Sequence, residues 1–161
     1  MGVGRSQGAK QLVYCCAGCA HAAKGILEDR RESNQYILDL LLDALSTRAL
    51  AVTPMRVAYF GGCHTSYAGQ LPRVALDWER YRAFLEKVDK LRVVDLPRTL
   101  CCKVKPDKIV EMALEEGVDA MVCACSGCNV AIRQAGSGRI RVMSYPELLL
   151  ESLGVKSDGT S

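Results

Sequence analysis

A chain of 161 residues, 49% hydrophobic and 24% charged, can bury one ordinary globular core, which excludes a disordered or low-complexity protein. Its net charge of +3 is spread through amphipathic segments with no dense Lys/Arg stripe, which argues against a nucleic-acid-binding surface. The nine cysteines are an odd number, no signal-like segment opens the chain, and no apolar run reaches the length of a membrane span, so the reading is a cytoplasmic protein with reduced thiols.

The residues before Cys15 are Gly-rich and read as a tail. Cys16-Ala-Gly-Cys19-Ala-His-Ala-Ala-Lys24 follows, and then a Leu-rich helix, Asp39-Leu-Leu-Leu-Asp-Ala-Leu-Ser46. Both pieces recur in one register further on, as Cys125-Ser-Gly-Cys128-Asn-Val-Ala-Ile-Arg133 and Glu147-Leu-Leu-Leu-Glu-Ser-Leu-Gly154. The repeat divides the chain into residues 1–53, the end of a first unit whose earlier part is expected to be missing; residues 54–154, a complete compact unit; and a flexible tail over 155–161.

The second unit alternates strands and helices. Met55–Phe60 is an apolar strand after Pro54, and Gly61-Gly62 opens the loop that carries Cys63. Leu76–Val88 has helical periodicity, with Leu76, Tyr81, Phe84, Leu85 and Val88 on one face. Leu91–Leu96 is a second strand, with Cys101-Cys102 in the loop beyond it. Pro106 starts a helix that Gly117 ends, Val118–Cys123 is a third strand, Ile140–Ser144 a fourth, and Pro146 starts the last helix. The expected fold is therefore α/β, an open, mostly parallel sheet with helices on both faces.

In such sheets ligands bind outside the carboxyl ends of the strands. Cys63, Cys101, Cys102, Cys125 and Cys128 all fall just after strands, so three loops distant in sequence are expected to converge on one edge. Neighbouring cysteines such as Cys101-Cys102 do not readily bridge each other without strain, so each looks elsewhere for a partner. Gly18 and Gly127, inside the two C-x2-C motifs, let backbone N–H groups approach the sulfurs.

Tyr59-Phe-Gly-Gly-Cys63, Cys101-Cys102 and Cys125-Ser-Gly-Cys128 together resemble the cysteine-rich CCG domain found in the catalytic subunit of heterodisulfide reductase and in related iron-sulfur oxidoreductases. The resemblance covers Pro54 to about Gly154 as one domain and Leu12–Leu45 as the end of another. It implies a noncubane [4Fe-4S] cluster on Cys63, Cys101, Cys102, Cys125 and Cys128, a disulfide or related electron acceptor, and flavoprotein and ferredoxin-like partner subunits in a homo- or hetero-oligomer. Lys103 stands where that family usually has Gly, and only 22 residues separate Cys102 from Cys125. The segment Cys101–Cys128 also resembles, more weakly, the delta subunit of methyl-viologen-reducing hydrogenase, which implies a [2Fe-2S] electron carrier.

A structural zinc on four of the same thiolates is the main chemical alternative, and direct thiol-disulfide exchange by C-x2-C is a third class. Cys15, Cys16 and Cys19 are candidates for a second, small metal site, with or without His21. His64 reads as a neighbour of a ligand, and Cys123 as a small buried hydrophobe.

Overall fold

The computed structural model describes residues 12–19, 34–62, 65 and 76–155. His21, Cys63, His64 and all but the first residue of the 155–161 tail lie outside the described residues. Among the described residues the elements run β1 (Leu12–Tyr14), β2 (Asn34–Tyr36), α1 (Ile37–Leu45), β3 (Ala51–Phe60), α2 (Trp78–Leu85), β4 (Asp89–Asp95), α3 (Pro106–Glu115), β5 (Ala120–Cys123), α4 (Ser126–Ala135), β6 (Arg141–Ser144) and α5 (Tyr145–Ser152). No helix among them is long and apolar enough to cross a membrane.

The fold is α/β with parallel strands throughout. Four strands form one sheet in the order β4-β3-β5-β6, and β1 pairs with β2 in a second. From β3 the chain steps to β4 on one side, then crosses to β5 on the other. Right-handed crossovers therefore put α2 and α3 on opposite faces. The packing agrees: α3 lies against α4, whereas α1 lies against α2 and α5. Covered on both sides, the central strands are apolar without alternation. Val57, Ala58, Met121 and Val122 are fully buried.

Proline and glycine set most boundaries where the sequence places them. Pro106 occupies the first turn of α3, and Gly117, at φ +63°, turns the chain out of it. Helix α5 begins with Ser144, whose hydroxyl accepts from the Glu147 N–H while the Glu147 carboxylate accepts from the Ser144 N–H. Helix α2 is shorter than the periodicity predicts. Asp77 caps it through the Arg80 N–H, and it stops at Leu85 because Val88 turns the chain into β4.

Two expectations are corrected. Residues Leu12–Tyr14 form a strand instead of belonging to a tail. Strand β3 begins at Ala51, before Pro54, although proline lacks the N–H a sheet ladder needs. Pro54 is accommodated by a bulge: between the pairs Ala51↔Asp89 and Met55↔Leu91, β3 advances four residues and β4 two, with Lys90 at φ +64°. Pairing with β5 starts only at Val57, so that ladder never meets the proline.

The repeat is visible as identical pairing. Leu12↔Asn34, Val13↔Gln35 and Tyr14↔Tyr36 in the small sheet correspond, by the C-x2-C alignment for the first strand and the Leu-rich helix alignment for the second, to Met121↔Val142, Val122↔Met143 and Cys123↔Ser144 in the large one. Ala17, Tyr36, Leu38 and Leu42 of the first copy belong to the same buried cluster as Val57, Tyr81, Leu85 and Leu149. One core serves both copies.

Ile132, fully buried on α4, and Val130, 67% exposed two residues earlier, separate core from surface on one helix. Ile132→Ala is expected to lower unfolding free energy by about 2–5 kcal/mol in urea titration. Val130→Ala should stay within about 0.5 kcal/mol.

Candidate functional site

Because the chain leaves β3 toward opposite sides of the sheet, the carboxyl ends of β3 and β5 flank the point where strand order reverses, the usual place for a ligand in such sheets. Phe60 ends β3, and its carbonyl accepts from the Ala124 N–H at 3.1 Å, so the loops Gly61-Gly62 and Ala124-Cys125 leave side by side. Gly62 sits at φ +97°, and a Cβ there would lie 3.1 Å from Cys128 Sγ. Backbone at this point therefore rests directly on the C-x2-C motif, and glycine is required for both its torsion and its closeness. A Cβ at Gly127 would stand at an ordinary 3.9 Å from Cys125 Sγ, so steric need falls on Gly62.

Cys125 is the N-cap residue of α4, and Cys128 lies within its first turn. The Cys128 thiol donates to Cys125 Sγ, and the backbone N–H groups of Cys128, Gly127 and Gly18 donate to the same sulfur. These bonds hold Cys125 well below the ordinary thiol pKa against the opposing effect of burial, so it is a thiolate beside two thiols. Cys128 is raised by its bond to Cys125 and by burial, and Cys102 is raised by burial first. Cys102 Sγ in turn donates to Cys128 Sγ at 3.2 Å. The result is a chain of sulfurs, Cys102 to Cys128 to Cys125, with each residue no more than 4% exposed.

The loop that delivers Cys102 is a turn closed by Val104 and Lys105 N–H groups on the Cys101 carbonyl, at 3.1 and 2.9 Å. Cys101 is half-buried beside it, and Lys103 and Lys105 are exposed. Cys123 is buried in β5, as expected of a small hydrophobe, and burial raises its thiol pKa. In the first copy, Cys16 and Cys19 are hydrogen-bonded to each other, which raises Cys19, and Cys125 adds to that rise. Cys15 is exposed.

Of the residues expected in the site, Cys102, Cys125 and Cys128 are thus brought together, with Cys101 adjacent; Cys63 and His21 lie outside the described residues. Gly18 reaches a sulfur as expected, but the sulfur belongs to the other copy of the repeat. Sequence reasoning missed Tyr36, whose buried hydroxyl donates to the Ala124 carbonyl next to Cys125. Its one signal was position: an aromatic residue stands where the second copy has the capping Ser144.

The three buried sulfurs have the donor chemistry of a metal-thiolate site. Backbone N–H bonds to a ligand sulfur are the usual way such a centre is tuned. The Asn129 amide nitrogen, one residue beyond Cys128, is buried without a partner among the described residues and can serve a bound group. Around a tetrahedral metal with bonds of about 2.3 Å, sulfurs stand roughly 3.8 Å apart, so Cys102 and Cys128 would open by about half an ångström on loading. Among the described residues, no group of three or more Cys, His, Asp or Glu is placed to hold a metal ion. A cleft of about 280 Å³ opens at the ends of β3 and β4, lined by Tyr59, Gly61, Thr65, Trp78, Arg82 and Arg98, with no cysteine among the described residues of its lining. No family model matches the chain, and no curated protein is significantly similar to it.

Two outcomes test the packing and charge of the site. Gly62→Ala should destabilise the fold by at least about 1 kcal/mol from its torsion alone, whereas Gly127→Ala, within a helix, should be neutral or stabilising by up to about 1 kcal/mol in chemical denaturation. The lowered pKa of Cys125 contributes stability that is complete above the ordinary thiol value of about 8.5 and is lost as pH falls toward the folded value. The raised values of Cys102 and Cys128 contribute below about 8.5 and fade above it. Reduced, metal-free protein should therefore melt at higher temperature as pH rises from about 6 to 8, and Cys125→Ser should flatten that rise.

Proposed function

We propose that this chain is an iron-sulfur electron-transfer subunit of a heterodisulfide reductase-like oxidoreductase, working with flavoprotein and ferredoxin-like subunits in a reducing cytoplasm. The observation that carries the reading is the convergence of Cys102, Cys125 and Cys128 at the strand-order reversal, with three backbone N–H groups aimed at Cys125 Sγ. Cys101 and Cys63 complete the ligand set that the family resemblance implies. A bound cluster, with the noncubane [4Fe-4S] form favoured by that resemblance, would supply one-electron chemistry.

The chain's own residues do the rest. Cys125 offers a ligand already deprotonated, and the N–H groups around it favour added negative charge, which raises the potential of any centre it binds. Cys102 and Cys128 release their protons on loading. Gly62 keeps the loop after β3 against the sulfurs.

One observation favours a second reading, thiol-disulfide exchange: a thiolate at a helix N-cap with a thiol three residues on is also the arrangement of a reactive dithiol. A structural zinc on the same thiolates is the other alternative.

Anaerobically purified protein should be brown and contain iron and acid-labile sulfide in comparable amounts, with an EPR signal on reduction. Cys102→Ser and Cys125→Ser should each remove most of the iron. Stoichiometric zinc with no visible absorption would refute the proposal. A colourless, metal-free protein in which Cys125 and Cys128 cycle between dithiol and disulfide would establish the second reading.

A further inference from the structure

The two C-x2-C loops leave equivalent strand pairs in equivalent register, yet they do not form two separate sites. The Gly18 N–H, between Cys16 and Cys19, donates to Cys125 Sγ, the sulfur that also accepts from Gly127 in the second loop. A hydrogen bond from the middle of one loop to the key sulfur of the other leaves no layer of side chains between them. A second link fixes the approach: the Tyr36 hydroxyl, from the end of β2, donates to the Ala124 carbonyl. Ala17, next to Cys16, is buried in the shared core at 1% exposure. Tyr36 also packs against Tyr81 at 5.8 Å between ring centroids, which ties the first copy to α2.

We propose that Cys16 and Cys19 are ligands of the same centre as Cys102, Cys125 and Cys128, a single thiolate site built across the two copies of the repeat. This inference rests on the metal-thiolate reading of the site. It differs from the expectation of a second, independent metal site on Cys15, Cys16 and Cys19. The number of thiols also specifies the class of ligand. With Cys16 and Cys19 added to Cys102, Cys125 and Cys128, the thiols exceed the four that a tetrahedral ion takes even before Cys63 and Cys101 are counted, so the shared site suits a polynuclear iron-sulfur group. Cys19 is exposed, whereas Cys102, Cys125 and Cys128 are buried.

The test compares full-length wild type with Cys16→Ser/Cys19→Ser, and with Cys123→Ser as a buried cysteine outside the ligand set. Far-UV circular dichroism and melting establish that each variant is folded, and single Cys19→Ser, an exposed position, replaces the double variant if that one does not fold. After anaerobic reconstitution with iron and sulfide, the double variant should lose the wild-type EPR signal entirely, through a new spectrum or loss of all iron, while Cys123→Ser keeps it. Persistence of the wild-type signal, with iron either unchanged or halved, overturns the shared site, since halving would mean two independent centres. Cobalt(II) added to the metal-free proteins provides a readout that does not depend on an iron-sulfur group. The shared site predicts weaker thiolate-to-cobalt charge-transfer absorption per metal in the double variant. If wild type takes up no iron but this cobalt difference is present, the iron-sulfur function fails and the shared thiolate site stands. If the cobalt spectra coincide, the shared site fails as well.

Discussion

The site depends on one constraint, the need to keep a buried sulfur charged. A thiolate removed from water loses far more solvation than a thiol, and burial alone would push Cys125 toward its neutral form. Four hydrogen bonds reverse that preference: one from Cys128 Sγ and three from the N–H groups of Cys128, Gly127 and Gly18. The first two N–H groups are available because Cys125 occupies the N-cap of α4, where the opening amides of a helix have no partner within it. The third comes from another strand pair altogether. Local helix geometry and long-range packing therefore act on the same atom.

That demand explains why the neighbouring elements must fit closely. Strand β5 is four residues long and buried throughout, so the position of Cys125 is set by its ladders to β3 and β6. The Phe60 carbonyl holds Ala124, the Tyr36 hydroxyl takes the other side of the Ala124 peptide, and Gly62 closes over Cys128. Tyr36 stands where the second copy has Ser144. Serine caps its own helix, whereas tyrosine reaches across to the other copy, and α1 starts without a side-chain cap. The two copies share a backbone plan and divide its tasks.

Much of the fold was legible because its signals are local. Pro106, Gly117 and Pro146 mark helix ends through fixed torsions, and the unbroken apolar run in β5 marks a strand covered on both faces. The start of β3 was hidden because proline is a strand breaker by composition, and only the bulge opposite Lys90 removes the conflict. At the site, the motifs announced the sulfurs of Cys102, Cys125 and Cys128 and even the role of Gly18 as a donor. They did not announce the recipient. Spacing places a residue in its loop, and which other loop it meets depends on the packing of β1 and β2 against the larger sheet, a long-range outcome with no local signature.

The division of protons across the sulfurs has a consequence for how the site loads. With Cys125 charged and Cys102 and Cys128 neutral, the three sulfurs carry one negative charge that their hydrogen bonds can support. Binding a metal centre requires the remaining thiols to give up their protons, and each becomes acidic only as the incoming cations approach. Under the proposed reading Cys125 would bind first, because it alone of the three needs no deprotonation. Cys128 would follow, since its proton is held mainly by the bond to Cys125, which contact with a cation would weaken. Cys102 donates to Cys128 and is held neutral mainly by burial, so it would be the last of the three. The sulfur chain would thus give the proposed centre an order of loading, running outward from the one thiolate that the helix terminus and Gly18 hold in place.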